Sequence, residues 1–229
     1  MRGALQAIVF DFDGVIANSE PLHLRAFQET LNEEGLELAA AEYYSRYLGY
    51  DDVGMFEAFA KDRAVAMTGG HVAALVRRKG EHMQEMLRSG SVLFPGAGDF
   101  IRNAAAVVPI AIASGAIRHE IDEVIESAGV RELFTAIVAA GDTPESKPSP
   151  APYRLALEML REASGQTIDP RRSVAIEDSK WGLESAHGAG LRLVGVTTSY
   201  PAHELAGAEL VVDGLKALTL PALDRLCAM

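Results

Sequence analysis

Ala7-Ile8-Val9-Phe10-Asp11-Phe12-Asp13-Gly14-Val15 is the stretch on which the reading of this chain turns. Four consecutive apolar residues read as a strand buried on both faces, since a strand with one wet face would alternate. The run ends at two aspartates one residue apart, followed by a glycine. In open parallel sheets ligands bind beyond the carboxyl ends of the strands, so both acids stand where a ligand would be met. Two carboxylates this close repel unless a proton or cation lies between them. A hard, oxygen-seeking cation such as Mg²⁺ answers that repulsion. Alternatively, one acid is a nucleophile and the other a proton carrier. Gly14 permits the tight turn. A solvated acidic turn is the plainer alternative, and the pair by itself does not decide between them.

Working outward, further apolar runs read as strands at Val107 to Ala113, Thr135 to Ala139, Val174 to Ile176 and Leu191 to Val196, with Leu210 to Val212 as a weaker sixth. Helical stretches separate them: Ile117 to Ala128, Tyr153 to Ala163 behind a Ser149-Pro150 cap and first-turn pair, and Trp181 to Ala189. Strand and helix alternating in this way predict an α/β fold, a Rossmann-like doubly wound parallel sheet. Residues 16–90 break the alternation. They hold helical patterns from Pro21 to a stop at Gly35, Ala40 to Leu48, Val53 to Ala60 and His71 to Leu87, and no convincing strand. The expected organisation is therefore a core of residues 1–15 and 91–229 with a helical cap, 16–90, inserted after the first strand. The chain returns to the core at the turn Phe94-Pro95-Gly96-Ala97-Gly98.

Three more features carry chemistry. Ala113-Ser114-Gly115 places a hydroxyl and a glycine at a strand end before a helix, a cradle whose N–H groups can face an anion, or an ordinary cap. Ser146-Lys147-Pro148 sets one cation just ahead of a helix, with an extended backbone favoured before the proline. Ile176-Glu177-Asp178-Ser179 brings two more acids to a strand end. All follow predicted strands, so all can reach one sheet edge. Acids, a hydroxyl with glycine, and a lysine are the set that metal-assisted phosphoryl transfer requires.

With these four segments in order, the chain resembles the haloacid dehalogenase superfamily over essentially its whole length. The helical insert is similar to the cap of the subgroup containing phosphoglycolate phosphatase and β-phosphoglucomutase. The resemblance implies that Asp11 attacks phosphorus to form an aspartyl phosphate and that Asp13 is the acid and base. It implies that Ser114, Gly115 and Lys147 hold the phosphoryl group. Mg²⁺ would be held by Asp11, Asp13, Asp178 and Glu177, the last directly or through water. In the cap, His23 and Lys79 stand where the mutase has functional residues, but Asp52 stands where it has an arginine that grips a distal phosphate. The expectation is a phosphatase of a small phosphorylated metabolite, with a phosphosugar mutase as the alternative. A phospho-receiver or non-catalytic binding protein is the rival of another class, opposed by the helical insert and the complete acid set.

Composition agrees. A net charge of −11 over 229 residues argues against nucleic-acid or anionic-membrane partners. One cysteine, Cys227, excludes an internal disulfide framework. With no signal-peptide pattern this predicts a cytoplasmic protein. Plainer readings are expected elsewhere. Tyr43, Tyr44, Tyr47, Tyr50, Phe56 and Phe59 should pack the cap interior. Trp181 should pack, or else sit at a pocket mouth. Asn18 should cap a helix, and Arg77-Arg78-Lys79 should lie on a solvated helix face. No G-x-G-x-x-G follows the first strand, which opposes dinucleotide binding.

Overall fold

The computed structural model describes residues 3–48, 50–89 and 92–228. It contains two compact units, Met1–Asn18 with Ser91–Met229, and Ser19–Gly90. The expected boundary between insert and core, at 90 and 91, lies outside the described residues; the expected turn from Phe94 to Gly98 is present, with the Ala97 amide bonded to the Phe94 carbonyl at 3.0 Å.

The first unit is built on a six-stranded parallel sheet: β1 (Ala7–Phe10), β2 (Ile110–Ala113), β3 (Phe134–Val138), β4 (Ser173–Glu177), β5 (Arg192–Val196) and β6 (Leu210–Val212). Their spatial order is β3-β2-β1-β4-β5-β6. The apolar runs are the central strands because every residue of β1, β2 and β4 is buried. Ala111, Val138, Leu157, Leu183 and Leu193 share one core cluster with Val9 and Ala175, each large aliphatic side chain contributing about 1.5–3 kcal/mol by leaving water. Strand β2 starts later than the run at Val107 suggests. Val107 and Val108 both turn back to bond the Ala104 carbonyl, and Val107 is exposed.

The helices of this unit are α5 (Ala97–Ala105), α6 (Arg118–Ser127), α7 (Ala151–Ser164), α8 (Lys180–Gly188) and α9 (Leu220–Cys227). Two caps differ from expectation. Helix α7 has Pro150 rather than Ser149 at its cap position, although the Ser149 hydroxyl, which donates to Glu145 at 2.8 Å, also accepts from the Ala151 amide at 3.3 Å. Asn18 is exposed and Ser19 occupies the cap position of the helix that follows, without a side-chain capping bond. Trp181 lies on the surface, 46% exposed, against Lys180 and Tyr200.

The second unit is all helical: α1 (Glu20–Glu33), α2 (Ala40–Glu42) running into a π-helical turn at Tyr43–Tyr47, α3 (Asp52–Arg63) and α4 (Gly69–Ser89). Its interior is Phe27, Leu31, Tyr43, Tyr47, Phe56, Phe59 and Leu75. Tyr44 and Tyr50 are 44% and 54% exposed and do not belong to it. Lys79 is the larger correction: at 1% exposure it is buried, whereas its neighbour Arg77 is surface-exposed. No helix among the described residues is long and apolar enough to cross a membrane.

Candidate active site

Strand β1 delivers Asp11 and strand β4 delivers Glu177 and Asp178 at adjacent carboxyl ends, since Phe10 is in register with Ile176. Connections leave β1 toward β2 on one side and arrive at β4 on the other, so these ends flank the switch point of the sheet, where a crevice opens. Beyond Asp11 the chain folds back sharply. The amides of Ile16 and Ala17 both bond the Phe12 carbonyl, at 2.8 and 2.9 Å. Gly14 sits in this turn at φ +76°, and a Cβ there would lie 1.9 Å from Asp178 Oδ2. Glycine is required at that position on both counts.

Lys147 ties the two strand ends together. Its ammonium donates to Asp11 Oδ1 at 2.7 Å and to Glu177 Oε1 at 2.6 Å. Glu177 is fully buried and accepts from three further donors: Tyr153 Oη at 2.7 Å, the Asp178 amide at 3.2 Å and Ser179 Oγ at 3.3 Å. Ser179 also caps α8 by accepting from the Gly182 amide at 3.1 Å. Asp13 is part-exposed and its charge adds to the field on Asp178.

Burial and crowding govern the ionisation of these groups. The Asp11 carboxyl is held well above the usual carboxylate range by burial, then by the charge of Glu177, against the opposing pull of Lys147. Asp178 is raised to about 7, by burial first and by Glu177 next, with Ser199 and Lys147 acting against the shift. Burial opposes the Lys147 charge, but Asp11 and Glu177 outweigh it and hold the ammonium protonated above the ordinary lysine value. The cluster is thus short of positive charge. Asp11, Glu177 and Asp178 each have a carboxylate oxygen within 4.8 Å of the others'. An all-oxygen, buried acidic set of this kind fits a hard divalent cation.

Ser114, buried, lies at the end of β2, with its amide bonded to the Val138 carbonyl and its hydroxyl accepting from the Ala116 amide at 3.0 Å. Gly115 is exposed with open space where a Cβ would be, so packing does not demand a glycine there. In the helical unit, His23 and Lys79 meet: Lys79 Nζ is 2.8 Å from His23 Nδ1 and 2.9 Å from Asp52 Oδ1. Of the other histidines, His71 pairs with Glu34, His82 with Glu33 and His119 with Glu123. Cys227 is buried, and burial pushes its thiol up to about 11, leaving it unreactive.

Tyr153, Gly182, Thr198 and Ser199 were not foreseen. Tyr153 reads in sequence as one apolar position of a helix, yet its hydroxyl anchors Glu177. Thr198 donates to the Gly14 carbonyl and Ser199 hydrogen-bonds Asp178. The available signal for that pair was their position just past β5, on the same sheet edge as the acids.

Comparison with known proteins places these residues in context. Residues 8–196 match the family model described as haloacid dehalogenase-like hydrolase. Protein CbbY of Cereibacter sphaeroides is 33% identical over 93% of this chain and 94% of its own length. A crystal structure of CbbY from Rhodobacter sphaeroides in complex with phosphate superposes with a TM-score of 0.81 at 32% identity, covering 96% of this chain and 99% of that one. A mutant of that protein, in complex with xylulose-(1,5)bisphosphate, matches to the same degree. Phosphoglycolate phosphatase of Pectobacterium atrosepticum is 25% identical over 92% of this chain and 89% of its own.

Proposed function

We propose, starting from the fact that this chain belongs to the haloacid dehalogenase-like hydrolases and is a phosphatase of that type, that it hydrolyses the phosphomonoester of a small metabolite through an aspartyl phosphate. The observation that carries this reading is the ammonium of Lys147 bonded at once to Asp11 and Glu177, at the switch point of the sheet. It joins acids from two separate chain segments to a single cation carried by a third.

In this reading Asp11 Oδ forms a bond to phosphorus as the ester P–O bond breaks, and Asp13 gives its proton to the departing oxygen. Asp13 then takes a proton from water, whose oxygen attacks the same phosphorus and frees Asp11 and inorganic phosphate. Lys147, Ser114 and the Gly115 amide hold the phosphoryl oxygens, positioning them and neutralising their charge. Mg²⁺ would be held by Asp11, Asp178, the Asp13 backbone and Glu177, and when bound supplies the positive charge that the buried acids lack. Four donors already engage Glu177, so its largest part is to orient Lys147. Residues 16–90 act as the cap that selects the leaving group.

A phosphosugar mutase must grip a second phosphate. Asp52, standing where the mutase has an arginine, supplies an acid and pairs with the buried Lys79, which favours hydrolysis. The relatives named above support a small phosphorylated substrate: CbbY was crystallised with phosphate and with a sugar bisphosphate. The test is a phosphate-release screen over sugar phosphates, sugar bisphosphates, phosphoglycolate and nucleotides, with and without Mg²⁺. It should include β-glucose 1-phosphate with a bisphosphate primer. Metal-dependent release from a small phosphomonoester is expected. Isomerisation of the primed sugar without net release would refute the hydrolase.

A further inference from the structure

Glu177 can serve either of two neighbours. It is one of the three acids whose oxygens come within 4.8 Å of one another, where a divalent cation fits, and it is also bonded to Lys147. An ionised carboxylate accepts at about four lone-pair positions, two on each oxygen. Here the chain itself takes all of them. Oε1 accepts from Lys147 Nζ at 2.6 Å and from Tyr153 Oη at 2.7 Å. Oε2 accepts from the Asp178 amide at 3.2 Å and from Ser179 Oγ at 3.3 Å. The carboxylate has no room to turn and free an oxygen. It is fully buried, and α8 closes against it so tightly that a Cβ at Gly182 would lie 2.0 Å from both oxygens.

Of the donors, one serves Glu177 alone. Lys147 also bonds Asp11, the Asp178 amide belongs to the main chain, and Ser179 caps α8. Tyr153 of α7 is fully buried, and Glu177 is the hydrogen-bond partner of its hydroxyl. Its ring centre lies 5.2 Å from Lys147 Nζ, close enough for the ring face to attract the ammonium. Tyr153 therefore touches both members of the ion pair, the acid with its hydroxyl and the cation with its ring. Its own place is set by the core cluster it shares with Val9, Ala111 and Leu157. Phenylalanine in its place would keep the ring and lose only the bond to Glu177.

We propose that Tyr153 is a positioning residue whose hydroxyl commits Glu177 to Lys147 and withholds it from direct contact with the divalent cation, leaving Asp11 and Asp178 as the carboxylates that touch the metal. The effect of Tyr153 on rate rests on the phosphatase reading, whereas the division of the acids does not. Two measurements on the full chain read that division without turnover. In the first, Mn²⁺ is the probe and the side-chain carboxyl carbon of glutamate is labelled with carbon-13. Electron–nuclear double resonance should show no labelled carbon joined to the ion through one oxygen in the native chain, and one such carbon in Tyr153→Phe. In the second, the metal-free proteins are titrated calorimetrically with Mg²⁺. Tyr153→Phe should bind about tenfold more tightly, the worth of one hydrogen bond no longer competing for an ionised acceptor. Loss of packing alone would leave the affinity unchanged or lower it.

A glutamate carbon coupled to Mn²⁺ in the native chain would overturn the proposal, whether or not the variant folds. So would equal or weaker Mg²⁺ binding by folded Tyr153→Phe, or failure of the native chain to bind either ion. With p-nitrophenyl phosphate at saturating Mg²⁺, kcat of Tyr153→Phe should fall about tenfold as Lys147 loses part of its anchor, and an unchanged kcat would overturn the positioning role. Absence of turnover of every phosphomonoester by the native chain would remove the phosphatase reading, and the resonance and calorimetry would still decide how the acids are divided.

Discussion

The same substitution, glycine to alanine inside a helix, should have opposite signs at two positions. In α4, a Cβ at Gly80 meets nothing within 4 Å. Alanine there gains helix propensity and loses no contact, so Gly80→Ala should stabilise by about 0.5–1 kcal/mol. In the first turn of α8, a Cβ at Gly182 would lie 1.9 to 2.0 Å from the carboxylate atoms of Glu177. Glu177 is fully buried and cannot swing into solvent. Displacing it disturbs the bonds to Lys147, Tyr153 and Ser179 at once. Overpacking costs about 1–3 kcal/mol, and disturbed buried hydrogen bonds cost about 1–3 kcal/mol more. Helix propensity returns at most about 1 kcal/mol. The net for Gly182→Ala is a loss of about 1–5 kcal/mol. Urea unfolding of both variants beside the native chain, with midpoints compared at equal m, measures the pair. Gly182→Ala at or above native stability would show that Glu177 is not held where its bonds place it. The turnover of that variant should fall as well, because Lys147 loses its anchor.

Other expectations follow from single groups. Asp11→Asn should abolish turnover, by at least about a thousandfold, while circular dichroism stays native; near-native activity would remove Asp11 as nucleophile. Asp178→Asn should shift the Mg²⁺ dependence of activity to higher concentration, and a metal titration superimposable on that of the native chain would take Asp178 out of the metal site. His23, lowered to about 3 against an ordinary 6.5, binds its proton more readily in the unfolded chain. Its contribution to stability is complete above pH 6.5 and declines as the pH falls toward 3, with about 2 kcal/mol lost by pH 5. His23→Gln should remove that part of the acid sensitivity, and parallel stability–pH curves for the two proteins would contradict the buried neutral ring.

Much of this protein can be read from local pattern alone. Continuous apolar runs ending at Asp11, Ser114 and Glu177 identify central parallel strands, because only burial on both faces lets a strand dispense with alternation. Parallel strands have a common carboxyl edge, so chemistry-bearing residues placed after them are driven to one side of the sheet without any further information. The helical insert is legible for the same reason, as a change of period. What local pattern does not carry is the pairing of side chains distant along the chain. Tyr153 and Lys79 each look ordinary in their own helices, and their roles arise only where another element brings Glu177 or Asp52 against them. The exposure of Tyr44 and Trp181 is likewise a matter of which helix face has a neighbour. Periodicity names a face, but only packing decides whether it is covered. The ionisation of Asp11, Asp178 and His23 was out of reach for a related reason: it depends on burial and on the distance between charges, which the order of residues does not contain.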